Sequence, residues 1–453
     1  MAITVNQQVV DFPTLPARRS ARVRQVMRSP LLDELSHGLG GPFHILLPDT
    51  FDANVAAFKS VLADGCVDAR IYYAKKANKA ACWIERCARN DIGVDVSSVG
   101  ELREAMSHGV RGTDLVVTGP AKSDALLSIA ILQDCLIAID ALDELDRVIL
   151  LATTLRPVRI LLRCLPPDQP DSRFGLDDHA ILTALRRCID NTSVIEMTGF
   201  SFHLSGYRIQ ARADLAGQLI DHCLLARAWG LRADRINIGG GFAVDYVDAP
   251  DWHRFTYDER AEHFHAGKTF GDFYPYHSPI AGARMLRAVL AARPAGGHAS
   301  LATMLRSSDT ALLLEPGRAL LDQAGFTVFR VQGVKAREYG IVTVDGTSLS
   351  LSEQWFNSEY LPEPVLLPET GTESDGPFPA CIGGASCLEA DMLSWRKIPL
   401  PRRPKVGDLL VYLNTAGYQM DSNESTFHEA PLPPKVVLDC ADRIRWRLDR
   451  HAQ

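Results

Sequence analysis

The chain has 453 residues, 46% hydrophobic and 23% charged, an ordinary globular composition with room for two or three domains. The net charge of −7 argues against a nucleic-acid binder, and no run of about 18 apolar residues is present to cross a membrane as a helix. The ten cysteines are scattered without a C-x-x-C pair, and the opening MAITVNQQVVDFPTLPARRSARVRQVM lacks the apolar centre of a secretory signal, so reduced thiols and a cytoplasmic location are expected.

In chain order, ARRSARVR (17–24) reads as a solvated surface helix, and GPFHILLPD, around residue 45, as a strand that joins a later β-rich region. Short β-rich runs then alternate with helical stretches. The runs are IYYAKK (71–76), IGVDVSS (92–98), LVVTG (115–119), CLIAID (135–140), VRILLRCL (158–165), MTGFSFHLS (197–205), RINIGGGF (235–242) and ALLLEPGR (311–318). Helical stretches such as ADLAGQLIDHCLLARAWG (213–230) lie between them. Eight such units over about 270 residues match a (β/α)8 barrel, expected over 49–322. The first run poses a question of its own. Successive strand side chains point to opposite faces, so at most one of Lys75 and Lys76 points inward, where an amine is costly unless paired or chemically used.

The long gap after RINIGGGF holds an aromatic and histidine-rich insertion, about 243–285, expected as an active-site lid. Its His253, His263, His265 and His277 do not have the spacing that demands a metal, and none is expected. Beyond residue 322, GFTVFRVQGVKAREYGIVTVDG, GDLLVYLNTAGYQM and KVVLDCADRIRWRL are β-rich and punctuated by turns, and LLPETGTESDGPFP (366–379) is a loop. Residues 323–453 therefore read as a separate antiparallel β-barrel or sandwich domain, with residues 1–48 contributing to it. The fold class is α/β: a TIM-type barrel plus a C-terminal β domain.

Catalytic groups of such a barrel sit at the C-terminal ends of its strands. Those ends offer Lys76, Asp95, Arg163, His203, the triple glycine Gly239, Gly240 and Gly241, and Glu315-Pro316-Gly317-Arg318. Each alone has a plain reading: a flexible turn, a structural histidine, a surface ion pair. Together they suit pyridoxal 5'-phosphate, which needs a lysine for a Schiff base and an acid at its pyridine nitrogen. Its phosphate needs backbone N–H groups, which glycines bring close to an anion.

On these residues the chain resembles the fold-type III pyridoxal-phosphate decarboxylases, the ornithine/diaminopimelate/arginine decarboxylase family, as a divergent member of bacterial type. The resemblance spans residues 45 to 440. YYAKKAN is similar to the family's Y-A-V-K-A-N, which implies Lys76 as the Schiff-base lysine and turns Lys75 to the helix layer. GVDVSSVGEL implies Asp95 near the cofactor. SFHLSGY resembles F-H-V-G-S, which implies His203 stacked on the pyridine ring, with Ser205-Gly206 reversed from the family order. NIGGGF and EPGR match the phosphate loops, which implies Glu315 at the ring nitrogen with Gly317 and Arg318 beside the cofactor. GGASCLEAD resembles G-P-x-C-x-x-x-D, with Cys387 and Asp391 in place, and AGYQM implies Tyr418 as a phosphate contact. STFHEAPLP resembles the closing F-N-x-x-P segment, with FHE (427–429) in place of Phe-Asn.

The resemblance further implies a homodimer with shared active sites, in which Cys387 reaches the partner's cofactor as the acid, on a small amino-acid-type substrate. Amine-reading members carry an acid directly after the cysteine; here Leu388 stands there and the acid is Glu389. In a strand, that shift turns the carboxylate to the other face. Glu359, in WFNSEYLPEP, aligns near the family's other amine-reading carboxylate, and Trp355, Phe356 and Tyr360 around it suit a bulky or conjugated group. The reading is a decarboxylase of an amino acid or amino-acid conjugate, not a plain ornithine or lysine decarboxylase. Its rivals are a racemase of the same barrel, which would use a partner tyrosine as second base, and a catalytically silent cofactor-binding regulator.

Overall fold

The computed structural model describes residues 12–351, 353, 358–369, 376–439 and 444–449; Trp355 and Phe356 lie outside them. The chain forms two compact units. One comprises Phe51–Ala243 and Ile280–Leu320; the other is built from the chain up to Thr50, Val244–Pro279 and Leu321–Asp449.

The first unit is a closed barrel of eight strands: Ala69–Ala74, Gly93–Val96, Leu115–Val117, Leu136–Ile139, Val158–Arg163, Ile195–Ser201, Arg235–Asn237 and Ala311–Leu314. Every neighbouring pair is parallel, and Ala69 pairs with Leu312 to close the ring. Tyr72, Val116, Leu136, Leu161 and Leu313 form one buried cluster, drawn from five of the strands. Several strands stop where their run turns polar, which leaves Lys76, Thr118 and Glu315 just beyond them, while Asp95, Arg163 and Asn237 lie inside theirs. ALLLEPGR, for example, is strand only to Leu314. The helix predicted over 213–230 runs from Ile209 to Ala228 and ends ahead of Gly230, whose φ of +88° suits a residue without a side chain.

The second unit carries a nine-stranded sheet. Phe43–Leu46 does join it, antiparallel to Gly325–Ala336 and parallel to Lys435–Asp439. Gly340–Val344 is likewise parallel to Phe378–Gly383, so the domain is mixed where an antiparallel one was expected. The insertion also departs from expectation, because residues 244–279 belong to this unit and not to the barrel. Tyr246, Phe255, Phe264 and Tyr276 are buried in the same cluster as Phe329, Val342, Leu366 and Tyr412. An apolar face of that size is held by core packing, which a mobile lid would not provide. Of its histidines, His253 packs edge-on against His277, whose Nδ1 lies 2.8 Å from Asp245 Oδ1, while His265 Nδ1 lies 2.8 Å from Tyr339 Oη and His263 packs edge-on against Phe12.

Candidate active site

The lysine pair sits in a turn. The strand ends at Ala74 and Lys75–Ala77 form a short 3-10 turn, so the strict alternation expected over 71–76 does not reach either lysine. Lys75 is fully buried; its Nζ lies 2.9 Å from Glu104 Oε2 and donates to the Lys79 carbonyl at 3.0 Å. Glu104 sits on the helix Val99–Ser107, so Lys75 belongs to the helix layer. Lys76 keeps 47% of its side chain accessible, and its Nζ stands 3.5 Å from Asp95 Oδ2. Of the two amines, Lys76 is the one a ligand reaches.

Asp95, on Gly93–Val96, is buried, and its Oδ1 accepts the Thr118 hydroxyl at 2.5 Å. Glu315 follows the strand Ala311–Leu314, and its Oε1 accepts Asn237 Nδ2–H at 2.6 Å. The same Asn237 accepts the Gly239 N–H through Oδ1 at 2.8 Å, and the Glu315 N–H donates to the Gly239 carbonyl at 2.9 Å. One amide side chain thus ties the triple-glycine loop to the acid. The Ala74 N–H donates to the Pro316 carbonyl at 3.2 Å, which joins the acid's loop to the strand that leads to Lys76. Burial, with the charge of Asp95 adding, pushes the Glu315 carboxyl up to about 7. Burial, with Lys76 and Arg163 adding, pushes the His203 imidazole down to about 3.

Gly239 and Gly241 have φ of +66° and +73°, backbone that side chains rarely adopt. A Cβ on Gly240 would stand 2.6 Å from the Glu315 carbonyl oxygen, so the loop passes too close to the acid's backbone for any side chain. Fully buried Arg212 donates to the carbonyls of Ile238 at 2.8 Å and Gly241 at 3.3 Å, fixing the loop by its acceptors. Arg163 closes its strand and pairs with Asp140 at 2.9 Å, its guanidinium 4.5 Å from the Phe174 ring. Arg318, buried, opens the 3-10 turn Arg318–Leu320, with the Leu320 N–H on the Gly317 carbonyl. Ser205 and Gly206 lie in an exposed turn after His203, and a Cβ on Gly206 would meet open space. Ser201 Oγ, by contrast, is buried at its strand end without a hydrogen-bond partner.

The remaining predicted residues lie in the β unit. Gly384–Asp391 is a turn, not a strand, so the two-face argument for Leu388 and Glu389 does not apply; both are exposed on it. Asp391 is buried and builds that turn: Oδ1 accepts the Ser348 N–H at 2.7 Å and Oδ2 the Ser386 N–H at 3.1 Å. A Cβ on Gly384 would sit 2.2 Å from Asp391 Oδ2, which explains the glycine. Cys387 is exposed on the turn, with its Sγ 3.2 Å from His428 Nε2. Glu359 is buried, and its two oxygens accept the N–H groups of Trp395 at 3.1 Å and Arg396 at 3.4 Å. Tyr418 is half-buried with φ +74°, and its carbonyl accepts the Asp421 and Ser422 N–H groups.

Residues 49–267 match the pyridoxal-dependent decarboxylase family, pyridoxal binding domain. The uncharacterized protein y4yA of Sinorhizobium fredii is 38% identical over 97% of this chain and 98% of its own length. The chain belongs to the fold-type III pyridoxal-dependent decarboxylases. Diaminopimelate decarboxylase of Halalkalibacterium halodurans is 26% identical, with 90% of this chain and 89% of that one covered. Two solved structures share the fold. Diaminopimelate decarboxylase of Helicobacter pylori, complexed with L-lysine, has a TM-score of 0.70 at 18% identity over 90% of this chain and 94% of that one. Lysine/ornithine decarboxylase of Vibrio vulnificus, complexed with putrescine, has a TM-score of 0.68 at 19% identity over 93% of this chain and 99% of that one.

The family is one of carboxy-lyases with pyridoxal phosphate as cofactor, and the barrel's residues fit that group. Glu315 and Asp95 are two buried carboxylates in one site, and burial has raised the first. A protonated pyridine nitrogen would supply a further cation beside that carboxyl. The glycine loop presents a cradle a Cβ would fill, and Ser201 Oγ is a buried hydroxyl in want of a partner. Sequence reasoning passed over Asn237, Thr118 and Arg212. Asn237 and Thr118 each stand at a strand end, the only local sign they give; Arg212 lies inside a helix and gives none. Among the described residues no helix is long and apolar enough to cross a membrane.

Proposed function

We propose that this decarboxylase acts on an amino acid or amino-acid conjugate whose distal end is neutral, acidic or covered, and not on free ornithine or lysine. The observation that carries this reading is Glu359, whose two carboxylate oxygens are both taken by backbone N–H groups of its own unit. With Leu388, and not an acid, directly after Cys387, a distal ammonium does not meet the pair of free carboxylates that the amine-reading positions would offer. An unpaired buried ammonium costs several kcal/mol.

The barrel geometry supports the following roles. Lys76 holds the cofactor covalently through Nζ, with Asp95 Oδ2 steadying the amine's charge. Glu315, oriented by Asn237, keeps the ring nitrogen protonated. His203, kept neutral by burial, would stack on the ring. The loop Gly239–Gly241, fixed by Arg212, would take the phosphate, with Ser205, Gly206, Gly317 and Arg318 as further contacts. When bound, the cofactor supplies the electron sink for the pair that carbon dioxide leaves behind. The partner's Cys387 returns a proton from Sγ to the α-carbon, and a homodimer with shared sites follows from that role.

The test offers a panel of free and conjugated amino acids in deuterated buffer. Carbon dioxide release with one deuterium in the product supports the proposal. Deuterium exchange at the α-carbon without release identifies a racemase, and cofactor binding with neither identifies a silent regulator.

A further inference from the structure

The family's closing segment has Phe-Asn where this chain has Phe427-His428, and the fold puts that histidine on the thiol. Cys387 Sγ and His428 Nε2 are 3.2 Å apart, hydrogen-bond range for sulfur. We propose that His428 is a positioning residue that shares a proton with Cys387, holding the thiol as an ion pair with the imidazolium and recharging it after each donation. This rests on the role given to Cys387 above.

Both sides of the contact are fixed by their own backbone. On the cysteine side, Asp391 takes the N–H groups of Ser348 and Ser386, the Gly384 N–H donates to the Asp391 carbonyl at 2.8 Å, and the Ala385 N–H to the Gly346 carbonyl at 2.8 Å. On the histidine side, His428 has φ +61° and Glu429 +57°. Left-handed backbone at two successive residues with side chains is unfavourable, and such conformations persist where the surroundings enforce them, often at functional sites. The Phe427 ring stands edge-on to the imidazole, 4.3 Å between centroids at 88°, and sets its plane.

The chemistry suits the role. A free thiol titrates near pH 8.5 and is only a few per cent ionised at neutrality, and a neighbouring imidazolium lowers that value. The ionisable groups on the segments bonded to this turn are carboxylates. They are Asp391, spent on two backbone N–H groups, Glu389 and Glu429, both exposed, and Asp345, whose Oδ1 accepts the Arg330 N–H. From the thiolate–imidazolium ion pair the His428 Nε2–H proton passes to Sγ; the S–H bond then breaks as its proton goes to the substrate carbon, and the neutral imidazole takes a proton from solvent, which its exposure allows. Asparagine at this position holds no exchangeable charge.

Iodoacetamide alkylation of the full-length holoenzyme, followed peptide by peptide across pH 5 to 9, tests this directly. Cys66, the other exposed thiol among the described residues, is the internal reference. The midpoint of the rate profile is read, so a difference in access between the two thiols does not enter. The expected result is a Cys387 midpoint at least about one pH unit below that of Cys66. In His428→Asn the two midpoints should coincide; asparagine tolerates left-handed backbone, so this variant keeps the turn. His428→Gln repeats the test in case the first does not fold. Coincident midpoints in the wild type, or a low Cys387 midpoint that survives both substitutions, overturn the proposal. A low midpoint in a protein that releases no carbon dioxide keeps the pair and refutes the decarboxylase reading instead. A normal midpoint with full turnover does the reverse.

Discussion

Replacing the two adjacent lysines one at a time separates a structural amine from a chemical one. Lys75 Nζ is held by Glu104 and the Lys79 carbonyl in a fully buried place, and Lys75→Ala leaves that carboxylate facing an empty stem. Removing one member of a buried pair costs about 3–5 kcal/mol. The Glu104 side chain is 18% exposed, so water relieves part of this, and a loss of about 2–4 kcal/mol is expected. For a unit of barrel size that lowers the melting midpoint by about 4–16 °C. Lys75→Met combined with Glu104→Met, which removes both charges and keeps volume, should recover most of the loss. Lys76→Ala removes an accessible side chain whose longer 3.5 Å contact is with buried Asp95, and should lower the cofactor-free midpoint less than Lys75→Ala does. The cofactor assay then inverts the order. Lys75→Ala, kept below its midpoint, should retain visible absorbance through dialysis and gain the cofactor's mass after borohydride reduction, and Lys76→Ala should do neither. A Lys75→Ala protein with a wild-type midpoint, or a Lys76→Ala protein that gains the mass, would refute this division.

Cofactor-free protein should lose stability through Glu315 as pH rises. Its carboxyl moves from 4.5 unfolded to about 7 folded, so the folded state holds the extra proton between those values. That contribution is present below pH 4.5 and lost as pH passes about 7, roughly 3 kcal/mol in all. Because Asp322, Asp345 and Glu359 are also raised by burial, the measurement is the difference between wild type and Glu315→Gln at pH 5 and 8; equal slopes would contradict it. With cofactor, Glu315→Gln should bind it yet lose most turnover, and a near-normal rate would place the acid elsewhere. Gly240→Ala pushes a methyl group to 2.6 Å from a backbone oxygen and should weaken cofactor affinity by at least about tenfold; unchanged affinity would remove this loop from the site. Mixing Lys76→Ala with Cys387→Ala and allowing subunit exchange should restore up to about a quarter of the sites, and no recovery despite proven exchange would refute the shared site.

The barrel was legible because each strand is a short apolar run that ends in residues no core would keep: a lysine after IYYA, an aspartate in GVDV, glycines after RINI, a glutamate after ALLL. That pattern located Lys76, Asp95, His203 and Glu315 without any knowledge of pairing. What it missed depends on contacts between distant segments. Asn237 bridges a glycine loop to an acid in another strand's tail, and Arg212 reaches the same loop from a helix. Lys75 reads as a strand residue until the 3-10 turn and the Glu104 pairing are seen. The aromatic insertion gave no sign of which unit it packs into, because Phe255, Phe264 and Tyr276 would be equally apolar over either one. FHE stood out as a departure, but only the fold brings His428 to Cys387.

The specificity constants for free basic amino acids test the central claim most directly. We predict that kcat/KM for ornithine, lysine, arginine and diaminopimelate, the last being the substrate after which several relatives are named, stays well below about 10⁴ M⁻¹s⁻¹. A neutral, acidic or conjugated amino acid should exceed it with carbon dioxide released, and Leu388→Asp should raise the rate with ornithine or lysine. A wild-type value at or above about 10⁴ M⁻¹s⁻¹ for any of the four would contradict the account.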